Sequence, residues 1–189
     1  MMNADIAWKL KEAASRIKQR YAFIGHQSGA PFLAIVFPHE QEKWTMGEWR
    51  AQAAFFDDQY DLIDIDLLAI TTQCIENLGP ENLIAAQEDP MPGADPDVEL
   101  ANLWVSEIIA TILDRLSAHH GKPPVLVIEK TAALHPVTGP KYLLQQLWDL
   151  HSEKIQCPVV IFIPGRLVEK RVYLFLNTKE EFMYRGEIL

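Results

Sequence analysis

The chain has 189 residues, 49% of them apolar, with eight Phe, five Trp and five Tyr, enough for one sizeable core but short for two. No run of eighteen apolar residues occurs and no apolar stretch backs the charges of the first residues, so neither a membrane-spanning helix nor a secretory leader is expected, and the cytoplasm is the expected compartment. The net charge of −9 is unevenly spread: +3 over residues 1–20, −14 over 21–120 and +2 over 121–189, and the acidic middle argues against a body that lies along a nucleic-acid backbone.

In chain order, residues 1–30 form a basic helix and a turn within a single domain spanning 1–189. Ala4 to Arg20 places Ile6, Leu10, Ala13, Ala14, Ile17 and Tyr21 on one face, with Asn3 as its cap. The opposite face carries Lys9, Lys11, Arg16, Lys18 and Arg20, which suit a solvated surface or a weak phosphate contact. A turn at 25–29 precedes the apolar run Phe32 to Phe37, closed by Pro38. Gly47 to Gln59 reads as a helix with Trp49, Ala53, Phe56 and Tyr60 toward the sheet. Leu62 to Ile65 alternates with aspartates as a strand near an edge is expected to do. Leu67 to Leu78 is helical and stops at Gly79-Pro80.

Residues 81–96 hold three prolines, a glycine and four acids and read as an exposed acidic loop. A long helix from Asp97 to His120 follows, with Asp95 as cap and Gly121 as stop. At its end, His119 and His120 suit the negative end of the helix dipole. Val125 to Ile128 is a second fully apolar strand. A linker through His135-Pro136 leads to a helix from Lys141 to Glu153. Val159 to Ile163 is a third apolar strand, stopped by Pro164-Gly165. Val172 to Leu176 and Phe182 to Ile188 read as two closing strands.

Unbroken apolar strands alternating with helices imply strands buried on both faces. The expected fold is a three-layer α/β/α sandwich with a mainly parallel sheet of about five or six strands, Rossmann-like or RecA-like, the second strand flanking the first. Cys74 and Cys157 lack a CxxC or Cys/His companion and read as reduced core thiols.

In such sheets a ligand sits beyond the carboxyl ends of the strands. The first strand runs into Pro38-His39-Glu40-Gln41-Glu42-Lys43 where a nucleotide hydrolase has GxxxxGK[ST], and GxGxxG and GxSxG are absent too. No phosphate-binding loop and no cofactor are expected. His39 with Glu40 and Glu42 has no matched metal partners. His39, Glu40, Glu129, Lys130, His135 and Arg166 form a candidate polar rim with a histidine base and an anion-binding arginine. That rim supports an alternative reading: a small α/β hydrolase or nucleotide-related enzyme. Trp8, Trp44, Leu83 and Met91 are candidate partner-contact residues, large apolar side chains that ordinary core packing also explains. A third reading, nucleic-acid contact through the basic helix, is opposed by the acidic middle.

Five short motifs occur in a telling order: Phe37-Pro38-His39-Glu40 after the first strand, Ile65-Asp66-Leu67-Leu68 after the second, Leu134-His135-Pro136 after the third, Phe162-Ile163-Pro164-Gly165 in the fourth, and Tyr184-Arg185-Gly186 near the end. In this order the chain resembles the BrxB family, a small core component of the bacterial BREX bacteriophage-exclusion systems. It departs from the pattern at His135, where an aromatic residue is expected before the proline. The resemblance implies a non-enzymatic scaffold that binds the alkaline-phosphatase-like PglZ component and helps to assemble the defence and methylation complex. It supplies no catalytic residues.

Overall fold

Three strands with no polar residue need apolar layers on both sides, and the computed structural model supplies them. It describes residues 2–21, 32–55, 58–151, 154–183 and 186–189. The elements run α1 (Met2–Tyr21), β1 (Phe32–Phe37), α2 (Glu42–Ala53), β2 (Asp61–Asp66), α3 (Leu67–Leu78), α4 (Pro80–Glu88), α5 (Pro96–Ser117), β3 (Pro124–Glu129), α6 (Pro140–His151), β4 (Val159–Glu169), β5 (Val172–Phe175), β6 (Lys179–Phe182) and β7 (Glu187–Ile188). Short 3-10 turns at His39–Gln41 and Thr131–Leu134 follow β1 and β3.

The sheet order is β2-β3-β4-β1-β7, all parallel, with β5 and β6 joined antiparallel to the far half of β4. Alternation of side chains along each strand divides the core into two layers. Phe32, Ala34 and Val36 of β1, Leu126 and Ile128 of β3, and Val159, Ile161 and Ile163 of β4 pack under α3, α5 and α6. Leu33, Ile35 and Phe37, Val125 and Val127, and Val160 and Phe162 point the other way, under α1 and α2. The result is a three-layer α/β sandwich with a mostly parallel sheet. Cys74 and Cys157 are buried free thiols; burial pushes the Cys157 thiol up to about 12.

The helix boundaries follow local chemistry. Asp66 Oδ1 accepts from Ala69 N (3.0 Å) to cap α3, and Asp95 Oδ1 accepts from Val98 N (3.2 Å) to cap α5 ahead of Pro96. Gly79, at φ 83°, ends α3 and turns the chain directly into α4.

Several expectations are corrected. β2 flanks β3 rather than β1, because α2 carries the chain across β4 and β3 to the far edge. The helix expected over 47–59 runs from Glu42 to Ala53, started by the turn after Pro38. Residues 81–96 are not all loop: Pro80 at the first helical position starts α4. β4 does not stop at Pro164-Gly165 but continues to Glu169, and residues 182–188 contain the end of β6 and a separate β7. α1 already includes Asn3, which is therefore not its cap, and α5 ends at Ser117, short of His119 and His120. His119 Nε2 lies 3.5 Å from Asp61 Oδ2 and 2.8 Å from Lys122 O, so it clasps the turn before β3. The turn at 25–29, Phe56, Glu153, Tyr184 and Arg185 lie outside the described residues.

Candidate site at the carboxyl edge of the sheet

The chain leaves β1 for the α1/α2 layer and leaves β2 and β3 for the opposite layer, reversing direction along the sheet as it changes face. Crossovers of one hand require that coupling. The crevice of a doubly wound sheet therefore falls over β4, between the loops that follow β1 and β3.

The loop after β1 is a closed turn. Gln41 N donates to Pro38 O (2.9 Å), so that amide is committed within the turn. His39 and Glu40 are exposed, with His39 Nε2 3.5 Å from Glu40 Oε1 and Nδ1 3.3 Å from Asn177 Nδ2. After β3, Glu129 is buried and Lys130 adopts left-handed backbone (φ 61°). Both are held from α2: Arg50 Nη2 lies 3.6 Å from Glu129 Oε2, and Lys130 Nζ 3.4 Å from Glu42 Oε1. Burial raises the Glu129 carboxyl above its ordinary value. Repulsion from Asp64 and Asp66 adds to the rise, while Arg50 and Lys130 oppose it.

Over the crevice itself β4 continues as one arm of a hairpin. Thr131 Oγ1 donates to Phe162 O (2.7 Å), joining the loop after β3 to β4 inside the core. Leu176 N donates to Pro164 O (2.8 Å), and the turn from β5 to β6 carries two successive left-handed residues, Leu176 and Asn177, the second touching His39. The chain bends at Gly165, whose φ is 155° and where an added Cβ would lie 2.0 Å from Leu174 O. Only glycine fits that approach. The antiparallel β4–β5–β6 extension thus spans the crevice from the end of β4 to the loop after β1.

The six rim residues are consequently dispersed into separate contacts. Glu129 and Lys130 are clasped by α2, and His39 and Glu40 pair with each other beside the β5–β6 turn. His135 is exposed with its ring 6.3 Å from that of Phe175, edge to face. Arg166 is exposed on the outer half of β4, opposite Leu174 in the ladder, and forms no ion pair with a described residue. Glu129 can exchange a proton, but its near partner is a cation on α2 rather than a nucleophile or a second acid–base group. Among the described residues, no three His, Cys, Asp or Glu side chains are placed to hold a metal ion, and no helix is long and apolar enough to cross a membrane.

Of the basic helix, Lys9 donates to Val36 O (3.2 Å) and Arg16 bridges Glu12 and Glu187, so part of its charge is spent holding α1 to the sheet. Trp8 and Met91 are well exposed, Trp44 lies on the first turn of α2 at 37% exposure, and Leu83 is half-buried on α4.

Two features escaped the sequence. One is a buried polar knot: Glu181 Oε2 accepts from Tyr173 Oη (2.8 Å) and from Lys141 N (2.9 Å) at the start of α6, with Lys179 Nζ 3.5 Å from Oε1. Burial, and next the Glu181 charge, raise the Tyr173 phenol, so it stays a donor. Nothing in Lys-Glu-Glu-Phe marks the second glutamate as buried, because the helix end it serves is forty residues away. Gly139 leaves the space, since a Cβ there would meet Glu181 Oε1 at 2.0 Å. The other comprises two open grooves. One lies between α6 and β6, lined by Leu144, Trp148 and Phe182, and the other among α3, α4 and α5.

No protein-family model matches this chain, and none of the curated proteins matches it.

Proposed function

We propose that the chain is a non-enzymatic docking domain. It works in the cytoplasm as an adaptor of a BREX-type phage-exclusion assembly, binding the PglZ-like component and helping to bring the defence and methylation machinery together. One observation carries the docking half of this reading: the crevice where a doubly wound sheet holds its ligand is spanned by the protein's own β4–β5–β6 extension, tied by Leu176 N to Pro164 O and by Asn177 to His39. The ordered motifs from Phe37-Pro38-His39-Glu40 to Tyr184-Arg185-Gly186 support the phage-defence half.

Affinity purification from native cells tests it. A PglZ-like protein should be retained; recovery of no defence component ends the assignment. In a reconstituted system, His135→Ala combined with Arg166→Ala should leave phage protection intact.

One observation favours the enzymatic alternative, a small α/β hydrolase or nucleotide-related enzyme. Glu129 is a buried carboxyl at the sheet's carboxyl edge with a raised proton affinity, the profile of an acid–base residue. Under that reading Glu129→Gln abolishes phage protection while leaving the complex assembled. Under the docking reading the two rise or fall together.

A further inference from the structure

The helices between β2 and β3 present an unfinished surface. α4 is nine residues long and buries none of its side chains. A helix that short is marginal in water without packing, the threshold for isolated peptides being about 12–15 residues. Its two large apolar residues, Leu83 and Ile84, line a groove of about 470 Å³ with Leu78 of α3 and Leu100 and Leu103 of α5. Ile84 is 58% exposed. Across α4 and α5, Gln87 Nε2 donates to Asp97 Oδ1 (2.7 Å), which fixes the groove's width at that point.

The charge around it is of one sign. Glu88 and Glu99 form part of the lining. From residue 51 to residue 114 the chain carries fourteen acidic residues and no lysine, arginine or histidine. An apolar floor with a carboxylate lip is complementary to one kind of surface: an apolar stripe flanked by fixed positive charge. Nucleic acid and anionic lipid are repelled by such a lip. A helix meets the pattern economically, because residues at i, i+3/i+4 and i+7 form the stripe while the flanking positions reach the lip.

We infer that the α3–α4–α5 groove docks a basic amphipathic helix of a partner protein, with its apolar stripe against Leu83, Ile84 and Leu100 and its lysines or arginines over Glu88 and Glu99. The inference rests on the docking reading for the existence of a partner, and not on the phage-defence assignment.

The test uses the full chain and a synthetic helical peptide of about 18 residues, five turns, with one leucine stripe and lysines elsewhere, beside a twin with glutamates for lysines. Backbone-amide NMR titration should place the lysine peptide on residues 78–103. Leu83→Ser with Ile84→Ser should weaken it about tenfold or more. Glu88→Lys with Glu99→Lys, on exposed positions that leave the fold alone, should weaken it most at low salt. Equal binding of the glutamate peptide overturns the inference, as does mapping to the α6–β6 groove. Self-association abolished by Ile84→Asp overturns it in favour of a second copy, whose α1 would offer Trp8, Lys11 and Lys18. Purification from native cells separates the two levels. If the docking reading itself fails, the unaltered chain retains no partner. If only the groove is misassigned, the unaltered chain and the Leu83→Ser/Ile84→Ser variant retain the same partner equally.

Discussion

α2 and α4 both follow a sharp turn marked by a proline, yet they do opposite work. α2 buries Thr45, Met46, Trp49 and Ala53, and Trp49 sits edge-on to Phe162 of the central strand at 5.5 Å. It also sends Glu42 and Arg50 to hold Lys130 and Glu129. α4 fully buries none of its side chains and shows Leu83 and Ile84 to an open groove. A helix that is finished inside the fold contributes stability. One left unfinished contributes surface for something else.

The contrast is strongest where it costs most. Trp49→Ala removes a fully buried indole and its ring contact. It should destabilise the fold by about 3–5 kcal/mol, lowering Tm by about 10 °C or more. Calorimetry would show this, and a loss below 1 kcal/mol would mean that α2 is no better anchored than α4. Gly165→Ala forces a Cβ against Leu174 O and should cost about 2–3 kcal/mol, with amide exchange rising first across β5 and β6. If exchange rose uniformly, the hairpin would open together with the rest of the core rather than ahead of it. Tyr173→Phe strips one donor from buried Glu181 and should cost about 1–2 kcal/mol by denaturant unfolding.

The Glu129 prediction concerns slope. Its folded proton affinity is raised, so its stabilising contribution is full below the ordinary value of 4.5 and is lost as pH rises through the folded value. Glu129→Gln should therefore gain on the parent in Tm as pH rises above 4.5. The opposite slope would show that Arg50 stabilises the carboxylate by more than burial penalises it. The smallest effect belongs to α4: Ile84→Ser should change stability by less than about 0.5 kcal/mol while altering binding. A large stability loss there would erase the distinction between the two helices.

The strands were legible in the residues to the extent that burial on both faces left no polar position. Phe32–Phe37 appears at its exact bounds for that reason, and the runs in β3 and β4 for the same one. Pro164-Gly165 misled because the same pair that stops a strand also bends one. Which it does depends on the Leu174 carbonyl, which comes back against Gly165 across the hairpin. α4 was hidden because its amphipathic pattern is completed by nothing in this chain. The order of strands was hidden as well, since no local signal tells α2 to cross two strands instead of none. For the site, Glu129 was visible as a polar residue at a strand end. Its clasp by Arg50 was not, because that depends on α2 lying over β3. The six rim residues could be named from their positions at strand ends, but their dispersal could not, since the hairpin that separates them forms only in three dimensions.

β1 has a consequence for how the protein is made. Its two neighbours in the sheet are β4 and β7, drawn from residues 159 onward. Roughly 120 residues must be added after Phe37 before either neighbour exists, some 6–25 s at ordinary translation rates. Through that interval Phe-Leu-Ala-Ile-Val-Phe is an uncharged six-residue segment without proline or glycine, the composition that seeds cross-β aggregates. Its guards are Pro38, which cannot extend a strand, and the glutamates at positions 40 and 42. Replacing those three residues with alanine should drive newly made protein into inclusion bodies while costing the finished fold little.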